Sequence, residues 1–120
     1  MSNKIKGKYG EDIAVNYLIK NKYKIIERNY HFSRYGEIDI IALDKNTLCF
    51  IEVKTRSNNK FGTPFEAVTK AKLDKIRKSA IAYVANSKTS FKTFRIDAIS
   101  ILLYGDTDTP QITHIKNIEF

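Results

Sequence analysis

The chain has 120 residues, 42% hydrophobic and 28% charged, which suits one globular domain spanning 1–120 and argues against disorder. One cysteine excludes a disulfide framework and an all-cysteine zinc site, and no apolar run approaches the ~18 residues of a membrane span. Twenty-one basic against 13 acidic side chains leave a net charge of +8, which favours polyanion partners.

The start, Met1–Lys6, is charged with no apolar stretch behind it, so no secretory signal and a cytoplasmic location are expected. Residues 104–120 hold one basic and three acidic side chains, so the positive excess lies in 1–103. Nucleic acid is the commonest partner of such a surface. Lysines outnumber arginines sixteen to five, so a merely solubilising charge is the plainer alternative.

Tyr9, Ile13, Ala14, Tyr17 and Leu18 share one helical face and predict a helix over 5–21. A strand follows over 23–32, then a turn at 33–36. Two β-rich runs, 37–43 and 47–55, flank the turn Asp44-Lys45-Asn46. A polar loop covers 56–64 and ends in Gly62-Thr63-Pro64. A second helix is expected over 65–86, with Val68, Leu73, Ile76, Ala80, Tyr83 and Val84 inward. A strand over 93–103, a turn through Gly105–Pro110 and an edge strand over 111–115 complete an α/β chain of order αβββαββ. Its core is 5–103, and a mixed sheet covered by helices is the expected architecture.

The chemistry sits on the central hairpin. A two-residue turn at Lys45-Asn46 pairs Asp44 with Thr47, and by the same register Asp39 with Glu52 and Glu37 with Lys54. One face then carries Glu37, Asp39, Glu52 and Lys54, continued by Ile41, Leu43, Leu48 and Phe50. The other carries Ile38, Ile40, Ala42, Cys49, Ile51 and Val53. Opposed carboxylates repel, and a divalent cation removes that repulsion. Hard oxygen donors suit magnesium or manganese. Lys54 beside such an ion suits phosphodiester hydrolysis. The plainer alternative is an exposed ion pair of Lys54 with Glu37 or Glu52, worth ~0–1 kcal/mol.

A resemblance rests on these residues. Asp39 followed by Glu52-Val53-Lys54 resembles the PD-(D/E)xK nuclease signature, with Ile38 where the signature has proline. The wider set is Gly10-Glu11, Arg28-Asn29, Gly36 to Ala42, Phe50 to Arg56, Lys72 and Arg95-Ile96-Asp97. It resembles the bacterial YraN-like family of predicted endonucleases, which are similar to archaeal Holliday-junction resolvases. The resemblance implies a restriction-endonuclease-like fold and a metal-dependent endonuclease acting on DNA, with branched or structured DNA favoured. It implies Asp39 and Glu52 as ligands of magnesium or manganese, Glu11 completing the site and Lys54 as the catalytic lysine. Resolvases cut two strands symmetrically, which implies a homodimer. By its helical position alone, Glu11 is a solvent-facing residue at the edge of the buried stripe.

Lys70, Lys72, Lys75, Arg77 and Lys78 surround one acid, Asp74, and either contact phosphates or form a solvated face. Arg56, Lys60, Lys70 and Lys72 are the expected nucleic-acid contacts. Cys49 is expected in the core, and Asp97 is expected to be structural, paired with Arg95 or a helix. His31 and His114 have no partner nearby in sequence. Tyr30, Phe32 and Tyr35 either pack or stack on bases. The rival to a nuclease is a non-catalytic nucleic-acid-binding module of the same fold.

Overall fold

Two hydroxyl side chains set the helix starts in the computed structural model, which describes residues 2–32, 34, 36–57, 68–103 and 109–118. Ser2 Oγ accepts from Ile5 N at 3.2 Å and opens α1 (Asn3–Lys20). Thr69 Oγ1 accepts from Lys72 N at 3.1 Å and opens α2 (Lys70–Asn86). Each cap satisfies an amide that the first helical turn leaves without a carbonyl. The helix expected over 65–86 therefore starts later. Thr69 is extended, and Val68 is buried ahead of the helix. Residues 65–67 lie outside the described residues.

Five strands follow the expected order: β1 (Lys24–His31), β2 (Glu37–Asp44), β3 (Thr47–Arg56), β4 (Thr93–Leu102) and β5 (Gln111–Ile115). They lie side by side as β1-β2-β3-β4-β5. Only β3 and β4 run parallel; the other neighbours are antiparallel. A parallel pair needs a crossover, and α2 lies in it. The result is a mixed α/β fold with a five-stranded mixed sheet and two helices. No helix among the described residues is long and apolar enough to cross a membrane.

Each helix covers one face. Ala14 and Leu18 of α1 pack on Ile40, Ala42, Cys49, Ile51, Ile99 and Ile101. Leu73, Ile76 and Ala80 of α2 pack on Ile38, Ile41, Leu48, Phe50, Ile96 and Ala98. Leu48, Cys49, Phe50 and Ile51 of β3 are all buried, which is why that strand is a continuous apolar run.

The hairpin register is the expected one from Asp44↔Thr47 to Ile40↔Ile51, and the pairing stops there. Ile38 departs from expectation. It joins Ile41 and Phe50 on the α2 side instead of Ile40 on the α1 side. The neighbouring strand switches faces at the same level. Arg28, opposite Ile40, reaches Asp12 of α1, whereas Tyr30, opposite Ile38, packs in the α2-side cluster. Between them Asn29 adopts φ +55°, a left-handed conformation that asparagine tolerates better than most residues.

Asp97 is buried in β4 and ties that strand to β5 and to the segment after it. Its carboxylate accepts from Arg95 Nε at 3.0 Å, His114 Nε2 at 2.9 Å and Asn117 N at 2.9 Å. Burial opposes its ionisation, but these donors together outweigh burial and hold its carboxyl below the ordinary range. The ionised acid requires a proton on His114 Nε2, and His114 Nδ1 lies 3.0 Å from the Tyr17 hydroxyl, so the ring links Asp97 to α1. Arg95 also reaches Tyr23 and Asp44. The expected structural role of Asp97 is met, and His114, isolated in sequence, is its partner.

Two pairs of predictions follow from this packing. Asp97→Asn removes the buried carboxylate that the mostly buried Arg95 guanidinium and His114 bond to, and should cost about 3 kcal/mol in urea unfolding. Because the folded pKa is depressed, this stability is present above the unfolded carboxylate value and is lost as pH falls through the folded one. In α1, a Cβ on Gly10 would meet Thr55 Oγ1 and Cβ at 1.7 and 2.9 Å, whereas one on Gly7 meets nothing within 4 Å. Gly7→Ala should therefore stabilise by about 0.5–1 kcal/mol, and Gly10→Ala should destabilise despite the same helical gain. Thermal melts of the two variants check the contrast.

Candidate metal centre

The close approach of Gly10 to Thr55 lays α1 across the end of β3 and carries Glu11 to the sheet. Arg28 of β1 fixes the helix there, bonded to Asp12 at 2.8 Å and lying 3.8 Å from Glu11. Glu11, a helix-edge residue by its sequence position, thus has a side chain only 20% exposed.

Asp39 sits just beyond the last paired residues of the hairpin. It does not meet Glu52 as a ladder partner. Its Oδ2 accepts from Val53 N at 2.8 Å, a side chain doing what backbone does further along. Burial, then the charge of Glu52, pushes the Asp39 carboxyl up to about 8, against the smaller opposing effect of the Val53 amide. Burial and then Glu37 likewise raise Glu11, with Arg28 opposing.

Ligand-capable oxygens of Glu11, Glu37 and Asp39 lie within 4.8 Å of one another. Oxygens around a magnesium-sized ion with ~2.1 Å bonds are roughly 3–4 Å apart, so small rotamer changes would close this cluster on one. Asn29 braces it. Turned so that its nitrogen faces the acids, its carboxamide donates to both Glu11 and Glu37. His31 lies 3.6 Å from Glu37. The sequence pattern places Glu37 opposite Lys54 and on the face of Asp39, but its closeness to Glu11 depends on how α1 docks. The one local signal at Asn29 was a residue type suited to positive φ.

Glu52 is buried on the α2 side of β3 and forms an ion pair with Lys72 of α2. The plainer alternative, an ion pair of Lys54 with Glu37 or Glu52, is not formed among the described residues; the lysine paired with Glu52 comes from α2. Lys54 is exposed and forms no ion pair among the described residues. Glu11, Asp39, Glu52, Lys54 and Lys72 line one cleft of about 390 Å³, with Lys6 at its side. Four elements therefore bring the expected site residues to one place.

The outer basic residues divide. Lys70 is exposed at the start of α2. Arg56 is half-buried, and its Nη2 donates to Ser100 Oγ at 3.4 Å. Lys60 and Tyr35 lie outside the described residues. Tyr30 packs edge-on to Tyr83, ring centres 5.2 Å apart, so its role is packing. Cys49 is in the core as expected, its thiol pushed up to about 12 by burial first and the Asp97 charge second.

Residues 10–101 match the model of a family described as uncharacterised protein family UPF0102. A UPF0102 protein of Syntrophomonas wolfei is 41% identical over 115 residues, covering 96% of this chain and 97% of its own. One from Geobacter metallireducens is 44% identical over 117 residues, covering 98% and 93%. One from Dictyoglomus thermophilum is 48% identical over 103 residues, covering 86% of each. The chain belongs to the UPF0102 family. The matched UPF0102 span includes Glu11, Glu37, Asp39, Glu52, Lys54 and Lys72 and ends before β5.

The raised Asp39 gives this UPF0102 chain a pH signature. Between the ordinary 3.8 and about 8, the folded chain holds a proton that the unfolded chain has lost. Stability therefore falls as pH rises through that window and levels off above it. Asp39→Asn keeps an oxygen for the Val53 amide and removes the charge. Its melting temperature should exceed the parent's by ~5 °C or more at pH 8.5, with the gap closing by pH 4. An equal gap at both pH values would contradict the assignment.

Proposed function

We propose that this UPF0102 chain is a metal-dependent endonuclease of restriction-endonuclease-like fold that hydrolyses phosphodiester bonds of DNA, favouring branched or structured DNA. The observation that carries the reading is the convergence of Glu11, Glu37 and Asp39 beside the buried Glu52, with Lys54 on the same cleft. A structural corner would gain stability from replacing any of these acids with an apolar or neutral residue. Glu11, Asp39 and Glu52 in one cleft with Glu37 close beside Glu11 and Asp39, on a chain of net charge +8, suit a site that takes a divalent cation and a polyanion.

In this reading Asp39, Glu52 and Glu11 hold magnesium or manganese, which supplies Lewis-acid polarisation of a phosphoryl oxygen. Asp39 must shed its proton to act as a ligand, so metal affinity rises with pH toward about 8. Lys54 orients the attacking water and meets the negative charge that develops on the phosphate. Lys70 and neighbouring cations of α2 hold the backbone on either side, giving salt-dependent binding. A second copy of the chain supplies the second cut when both strands are severed, as a homodimer.

The test is cleavage of labelled single-stranded, duplex, flap and four-way-junction DNA, with RNA controls, in magnesium, manganese or EDTA. Cutting should require the metal and fall at least ~100-fold in both Glu52→Gln and Lys54→Ala, while DNA binding persists. Salt-dependent binding with no cutting of any substrate in either metal would replace this reading with a non-catalytic nucleic-acid-binding module.

A further inference from the structure

Lys72 and Glu52 are unequal partners. The Glu52 side chain is 6% exposed and that of Lys72 is 45% exposed. The carboxylate is walled in, and the ammonium reaches it from solvent on a long flexible stem. Lys72 belongs to the first turn of α2, next to the exposed Lys70, and with Lys75 it also lines a second cleft that opens beside Gly36 and Glu37. Its ammonium thus has an outward course available as well as the inward one.

A buried carboxylate needs a cation, and the Lys72 ammonium at Glu52 Oε1 engages an oxygen that a divalent ion would need as a donor. We propose that Lys72 is a releasable counter-ion. In the free chain it neutralises Glu52 and holds metal affinity down. When a nucleic-acid backbone enters the cleft, a phosphate oxygen draws Lys72 outward and Glu52 becomes available as a ligand. Metal loading is thereby coupled to substrate binding, and by linkage the metal strengthens nucleic-acid binding by the same factor. The inference rests on the metal-site reading above and goes beyond it by giving Lys72 two successive partners.

The experiment is a manganese titration, read by the electron paramagnetic resonance signal of the free ion. Without DNA, Lys72→Met should bind manganese at least tenfold more tightly than the unaltered chain. Lys72→Gln, which keeps a donor for Glu52 but no charge, reads the same comparison if the methionine variant does not fold. In a Lys54→Ala background, which keeps the DNA intact, a short duplex should tighten manganese binding about tenfold. Adding Lys72→Met to that background should reduce the effect to under twofold. Glu52→Gln with the same duplex measures the manganese held by phosphates alone. Manganese binding that depends on Glu52 but is unchanged or weaker without Lys72, or a DNA effect that persists without it, would overturn the counter-ion role and leave the metal site standing. No Glu52-dependent manganese binding in any form would overturn both.

Discussion

The backbone pairing of β2 with β3 ends at Ile40 and Ile51, and a carboxylate takes over where it ends. The site depends on that substitution. Were the ladder to continue, the Val53 amide would face a carbonyl and Asp39 would be free to turn away from the sheet. Instead the amide holds Asp39 at the seam between the strands, within reach of acids from α1, β2 and β3. The switch of faces at Asn29 in β1 and between Ile38 and Ile40 in β2 lies at the same level. Ending the ladder, turning the strands over and gathering the acids are one structural event.

That event is electrostatically costly. Glu11, Asp39 and Glu52 are drawn out of water near the exposed Glu37, and burial together with the neighbouring carboxylates is why Asp39 and Glu11 both move up. The rest of the molecule offsets the cost. β3 is buried on both faces, each helix covers one, and Gly10 lets α1 approach without a side chain between it and Thr55. Arg28 pairs with Glu11 as well as Asp12, Asn29 braces Glu11 and Glu37, and Lys72 neutralises Glu52. The strain is confined to one end of the sheet.

How much of this was legible in the sequence follows from the range of the interactions. The apolar faces of both helices, and the register from Asp44↔Thr47 to Ile40↔Ile51, are written in local periodicity and one short turn. The start of α2 was not, because Thr69 caps from within a polar stretch and Val68 is buried without being helical. The face of Ile38 was lost because strict alternation assumes a regular strand, and the irregularity involves Asn29 on a neighbouring one. The gathering of Asp39, Glu52, Lys54 and Glu11 in one cleft was expected from the hairpin and from the resemblance. The partners Lys72–Glu52 and His114–Asp97 come from separate elements, and no local pattern in the sequence marks them.

Asp39 and Asp97 make the same point from opposite directions. Both are aspartates of inner strands, one on either side of β3, and burial is the largest influence on each. Asp97 meets Arg95, His114 and a backbone amide, and ionises below the ordinary range. Asp39 meets one amide and faces other acids, and ionises far above it. Burial alone therefore does not distinguish an acid that holds the fold together from one available for chemistry. The number of donors aimed at it does. An acid already supplied with donors has nothing left to bind, whereas Asp39 retains a demand for positive charge that no ion pair among the described residues meets.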